Sequence, residues 1–220
     1  MWFEKSAEKD TWATAVRHLR RVDPVMKSII ARVGPCTLTP RKDYFVVLCK
    51  SIFSQQLNTK VAATLFGRFS DLFPRRRPTP ALVLKALSGG VSEEAIRHAG
   101  LSRQKRSYIL DLAQHFANGE IPTRSFAAMG DEQIIEHLTR VKGIGRWTAE
   151  MFLIFVLNRE DVLPVDDLGV MESMRVNFAL AKRPKKKEAV ALAEAWRPYR
   201  TVGTWYLWRG GAGANAQAKG

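Results

Sequence analysis

The chain has 220 residues, enough for one or two domains, and 46% apolar with 10% aromatic residues supply a sizeable core, which excludes wholesale disorder. Lys and Arg number 35 against 21 Asp and Glu, a formal charge of +14 that points to a polyanionic partner, either nucleic acid or an anionic membrane surface. Cys36 and Cys49 are the two cysteines, too few for a disulfide-stapled scaffold or a four-cysteine cluster. In chain order, the start Met1-Trp2-Phe3-Glu4-Lys5 lacks a secretory signal pattern. Asp23-Pro24 reads as an N-cap with proline at the first helical position, opening a helix over 25–33. Thr39-Pro40 repeats that signal before a helix running towards Gln55. A helix over 59–73 stops at the basic loop 74–78. Ser92 opens a short helix ending at Gly100, and Ser102 caps another over 103–118. Helices over 131–140, 146–158, 168–180 and 186–196 follow, and the Gly/Ala-rich tail 210–220 is expected to fray. No alternating pattern bounded by hairpin turns occurs, so the expected fold class is all-α. The longest apolar runs, 44–49 and 151–157, are far short of a bilayer span, so the expectation is an intracellular protein (cytoplasm and nucleoid, or nucleus in a eukaryote) with no membrane partner.

Chemistry concentrates at the two ends of one segment. From Trp147 to Leu157 nearly every residue is apolar, which predicts a helix buried on all sides whose ends emerge where a core meets a surface. Before it, Gly143-Ile144-Gly145 joins two helices, with Lys142 and Arg146 alongside. Glycines permit positive φ and close backbone approach, and exposed amides at a helix N-terminus suit a phosphate. Gly-x-Gly alone is more often an ordinary helix–helix turn; the flanking helices and the basic chain favour phosphate. After the apolar segment, Leu163-Pro164-Val165-Asp166-Asp167 leads into the helix at Leu168. One or both acids could simply cap that helix. A cap is also a suitable seat for a working carboxylate, since helix amides stabilise an anion.

Residues 138–149 followed by 163–167 resemble the helix-hairpin-helix, Gly/Pro-rich loop and aspartate signature of the helix-hairpin-helix DNA glycosylase superfamily. Gly143-Ile144-Gly145-Arg146-Trp147-Thr148-Ala149 is most similar to the alkylpurine branch, the 3-methyladenine DNA glycosylase II type, as are Ser54-Gln55-Gln56-Leu57 and Glu194-Ala195-Trp196-Arg197-Pro198-Tyr199-Arg200. The resemblance covers about residues 44–208, with four separated motifs in family order. It implies two helical lobes with an active cleft between them, one formed by 1–43 with 160–208, the other by 44–159 carrying the helix-hairpin-helix.

It also implies roles. Counting without gaps puts the catalytic acid at Asp167, with Asp166 as a preceding acid for which capping suffices. Gln56 by the same count, or Leu57 by its apolar character, would be the wedge that fills the hole left by an extruded base, with Asn58 contacting the minor groove. Trp147, Met151 and Trp208 would line a pocket for a cationic alkylated base, attracted by cation–π contact. Lys142, Gly143, Gly145 and Arg146 would hold phosphate. Trp147 stands where lyase-type members carry a nucleophilic lysine, which implies a monofunctional enzyme using water. Lys142 departs from the proline often found there, and Met151 from a relative's tyrosine. No cofactor is required; a structural Na or K ion on the carbonyls of Thr139, Val141 and Ile144 is implied by analogy. The expected partner is double-stranded DNA with damaged bases, bound by a monomer. Two other functions stay open: a non-catalytic helix-hairpin-helix DNA-binding protein, and a glycosylase for deaminated or oxidised bases.

Overall fold

The computed structural model describes residues 12–211, and among them every regular element is helical. The helices are α1 Ala13–Val22, α2 Pro24–Val33, α3 Tyr44–Ser54, α4 Thr59–Asp71, α5 Pro80–Lys85 and α6 Glu93–His98, followed by α7 Arg103–Ala117, α8 Asp131–Thr139, α9 Arg146–Phe152, α10 Leu168–Asn177, α11 Lys186–Leu192 and α12 Arg200–Gly210. None of them is long and apolar enough to cross a membrane. The tail 212–220 of the expected frayed end lies outside the described residues.

Several boundaries move for identifiable reasons. The helix expected after Thr39-Pro40 starts only at Tyr44, with Asp43 at its N-cap position and the Asp43 carboxylate bound by Arg41 (Nε 3.0 Å, Nη2 2.8 Å). The helix expected to reach residue 180 ends at Asn177, since Ala179 adopts φ 51°, outside the right-handed region. The 186–196 helix breaks after Leu192 into a 3₁₀ turn at Glu194–Trp196. Helices α1, α5 and α12 have no counterpart among the expected elements.

The chain divides into two compact units, one of Arg41–Phe152, the other of Leu153–Gly220 with Phe3–Pro40, as far as those spans are described. The boundaries differ from the expected 43/44 and 159/160. The second falls inside the apolar run because its last turn, Leu153–Leu157, is held by the C-terminal helix, with Phe155 stacked on Trp208 at 5.2 Å between centroids. In the first unit, Phe53, Phe66, Phe69 and Phe73 form a chain of tilted and edge-on contacts that packs α3 on α4, and α7 lies against α3 and α5.

The second unit is built round α12. Gly203 lets α12 approach Trp196, where a Cβ would come within 2.7 Å of the indole. Asp23 ties the same indole to the start of α2: one oxygen accepts the amides of Val25 (2.8 Å) and Met26 (3.0 Å), the other the Trp196 Nε1–H (2.7 Å). Both Asp23 and Trp196 are buried. Asp23→Ala removes a cap and leaves a buried indole N–H without an acceptor, a combined loss of about 3 kcal/mol. The expected outcome is a thermal midpoint lower by roughly 6–12 °C in a circular-dichroism melt. A shift within the error of the melt would show that neither the cap nor the indole bond contributes.

Candidate functional site

In the first unit two exposed turns are joined to a common helix. The first turn follows α3. Gln56 there has φ 61°, a left-handed conformation uncommon for a residue with a side chain, and Gln56, Leu57 and Asn58 are all exposed. Leu57 therefore stands out of the core, as a wedge requires. Asn58 is committed in part: its Oδ1 accepts the Val61 amide at 2.9 Å and caps α4, so only its amide nitrogen remains for a groove contact.

The second turn joins α8 to α9. Gly143 has φ 83°, and a Cβ there would lie 2.2 Å from the Tyr108 ring, so both backbone and packing demand glycine. The amides of Gly143, Gly145 and Arg146 donate to no acceptor among the described residues, and they sit at or just before the start of α9. Such amides are ready anion donors.

The basic side chains expected beside them are used differently. Lys142 turns onto Asp111, which accepts its amide at 2.8 Å and lies 3.4 Å from its ammonium. Arg146 forms a two-pronged pair with Glu132 and a further bond from Nε to Glu150 at 3.2 Å. The hydrogen bond from Arg146 holds Glu132 below the usual carboxylate range. Both cations thus have acidic partners inside the unit, while their side chains stay 69% and 51% exposed. The carbonyls of Thr139, Val141 and Ile144 belong to the same turn. The Val141 carbonyl accepts the Ile144 amide at 3.0 Å.

At the start of α9, Trp147 is 45% exposed, against a general burial of the apolar run from Thr148 to Val156. Met151, one turn on, is 2% exposed, packed inside as on a helix apolar all round.

The second unit carries the acids. Asp167, 7% exposed, is the N-cap of α10, accepting the Val170 amide at 2.7 Å through Oδ1. The same oxygen accepts the Trp208 indole N–H at 3.0 Å, and Trp208 is itself stacked on Phe155. Capping therefore falls to Asp167 and not to Asp166, which points to an ion pair with Lys186. Gly169 lets this group close up, since a Cβ there would lie 3.1 Å from Asp167 Oδ1 and 3.5 Å from the Trp208 ring.

Several residues of this arrangement carried no assigned role in the sequence. Gln55 stood in a motif, but its Nε2 bond to the Gly143 carbonyl (2.7 Å), 88 positions away, has no local signal. Nor do the contacts of Lys105 with Phe53, Tyr108 with Gly143, Asp111 with Lys142 and Glu132 with Arg146, which join residues 14 to 52 positions apart.

Comparison with known proteins agrees in one direction. A family model described as HhH-GPD superfamily base excision DNA repair protein matches residues 49–198. The alkylbase DNA glycosidase-like protein mag2 of Schizosaccharomyces pombe is 32% identical over 204 residues, covering 89% of this chain and 92% of its own. The solved structure of the 3-methyladenine DNA glycosylase Mag1 from S. pombe, in complex with abasic DNA, superposes with a TM-score of 0.76 at 35% identity over 90% of this chain and 96% of that one. The DNA-3-methyladenine glycosidase of Bacillus halodurans gives a TM-score of 0.79 at 31% identity over 96% and 94%. The chain belongs to the HhH-GPD superfamily of base excision DNA repair proteins.

Proposed function

We infer that this chain is a monofunctional DNA glycosylase that excises alkylated purines of the 3-methyladenine and 7-methylguanine type from double-stranded DNA, leaving an abasic site for base excision repair. Family membership and relatives named as 3-methyladenine glycosylases support the reading. The observation that carries it is the Asp167 carboxylate, seated at a helix N-terminus and oriented by an indole N–H from Trp208.

A base within a duplex is out of reach and must be extruded. The exposed Gln56 and Leu57 suit the vacated stack, and the amides of Gly143, Gly145 and Arg146 suit a backbone phosphate. An alkylated purine is cationic, so the aromatic faces of Trp147 and Trp208 attract it, and it leaves without a general acid. When the glycosidic bond breaks, its electron pair departs with the base, which becomes neutral, and positive charge passes to the sugar. Asp167 stabilises that oxocarbenium ion and takes the proton of the water that adds to C1′. With Trp147 where a lyase has lysine, no amine attacks and water is the nucleophile. A Na or K ion on the Thr139, Val141 and Ile144 carbonyls would add positive charge beside the phosphate, and the protein acts as a monomer.

The test is mass spectrometry of bases freed from methylated, deaminated and oxidised duplexes. Release of 3-methyladenine and 7-methylguanine with matching abasic sites is the expected result. Release confined to deaminated or oxidised bases would overturn the substrate assignment. Tight DNA binding with no base released from any duplex would make the chain a binding protein.

A further inference from the structure

The turn carrying Gln56 and Leu57 is clasped from outside its own motif. Lys105 Nζ donates to the carbonyls of Phe53 (2.7 Å) and Gln55 (3.1 Å), the two backbone groups on either side of the end of α3. From the same turn, Gln55 Nε2 donates to the carbonyl of Gly143 at 2.7 Å. Lys105 lies on α7, and α7 also holds the hairpin: the Tyr108 ring fills the space beside Gly143, and Asp111 accepts the Lys142 amide. Residues 105, 108 and 111 follow at spacings that keep them on neighbouring positions of one helix surface.

We propose that Lys105 is a positioning residue for base extrusion, clasping the wedge turn and, through Gln55, locking it to the hairpin so that wedge and phosphate grip move as one body. The proposal rests on the glycosylase reading above. A wedge works against stacking, at a cost of a few kcal/mol per base step, and must not yield when pushed into the duplex. Gln56 is strained in its left-handed conformation and persists only if its surroundings hold it. The bonds to Phe53 and Gln55 fix the backbone that leads into it, the Gln55 carbonyl being that of its own peptide bond, and a bond from an ammonium is stronger than one between neutral groups. Lys105 is half-buried, and desolvation lowers its pKa below the usual lysine range. That places it apart from the exposed cations of this basic chain: its charge is spent on the fold's own carbonyls and not on solvent or phosphate.

The test compares single-turnover excision of one alkylated base in a fully paired duplex and opposite a mismatched base, where extrusion costs less. Lys105→Met is expected to lose roughly tenfold or more on the paired duplex and clearly less on the mismatched one. Lys105→Arg, which still offers donors to two carbonyls, recovers most of the paired-duplex rate. The fluorescence rise of 2-aminopurine beside an abasic analogue, a direct report of unstacking, falls with Lys105→Met in parallel. Equal losses on both duplexes, or no loss on either, would overturn the proposal while leaving the glycosylase reading intact. If Lys105→Met does not fold, Gln55→Met carries the same comparison. Should the wild-type chain release no base, the glycosylase reading fails, and 2-aminopurine unstacking alone then decides the clasp.

Discussion

Asp167→Asn is expected to keep the fold and DNA binding and to lose base excision by on the order of 10²–10⁴-fold. The amide is isosteric and keeps an oxygen acceptor for the Val170 amide and the Trp208 indole. Asn caps a helix about as well as Asp, so the melting midpoint should move little. What disappears, on the proposed reading, is the negative charge that stabilises the oxocarbenium ion and the base that accepts the water proton. Single-turnover release of 7-methylguanine, with a gel-shift measurement on abasic duplex, checks both halves. A loss of less than tenfold would remove Asp167 from the chemistry. A fall in binding and melting together would leave it only its cap. Asp166→Asn is the matched control, because it breaks a half-exposed ion pair with Lys186, an interaction of little energetic weight.

Gly143→Ala should have the second largest effect. The φ of 83° costs a residue with a Cβ about 1–2 kcal/mol. The new methyl would also start 2.2 Å from the Tyr108 Cδ2, so either the ring or the turn must move. Because the Gly143 carbonyl receives Gln55 and the neighbouring Lys142 amide is held by Asp111, the turn cannot shift without breaking those bonds. The expected result is roughly tenfold or greater loss of affinity for abasic duplex, with excision falling alongside. Adding Tyr108→Ala to Gly143→Ala removes the collision but not the φ strain, so it should restore part of the affinity. Unchanged binding by Gly143→Ala would mean that the hairpin tolerates a different path and that its amides are not the phosphate grip.

Local signals were legible where the chain's own neighbours decide the outcome. Asp23-Pro24 caps and opens α2, Ser92 and Ser102 cap α6 and α7, and of the apolar run 147–157 expected to be buried, residues 148–156 are, while Trp147 at its start is 45% exposed. The Thr39-Pro40 signal opened no helix, and α3 starts at Tyr44. Helices α1 and α12 stood outside the expected elements. Tertiary partners hold α12, whose Tyr206 bonds the Gly34 carbonyl and whose Gly203 meets Trp196.

The candidate site divides along the same line. Composition and charge called for an anionic partner, and four motifs in order carried the family, because residue type and spacing survive in one dimension. The direction in which each charge points does not. Lys142 and Arg146 stand beside two glycines in the sequence, and only folding pairs them with Asp111 and Glu132 from other helices. Of two adjacent aspartates, folding alone decided that Asp167 meets Trp208 while Asp166 meets Lys186. Lys105 was one cation among 35 until α7 brought it to the end of α3. Helix caps and apolar faces are set by residues within a few positions of one another. The pairing of a charge is set by whichever opposite group the packing of distant segments delivers within about 3 Å, a distance over which sequence separation has no bearing.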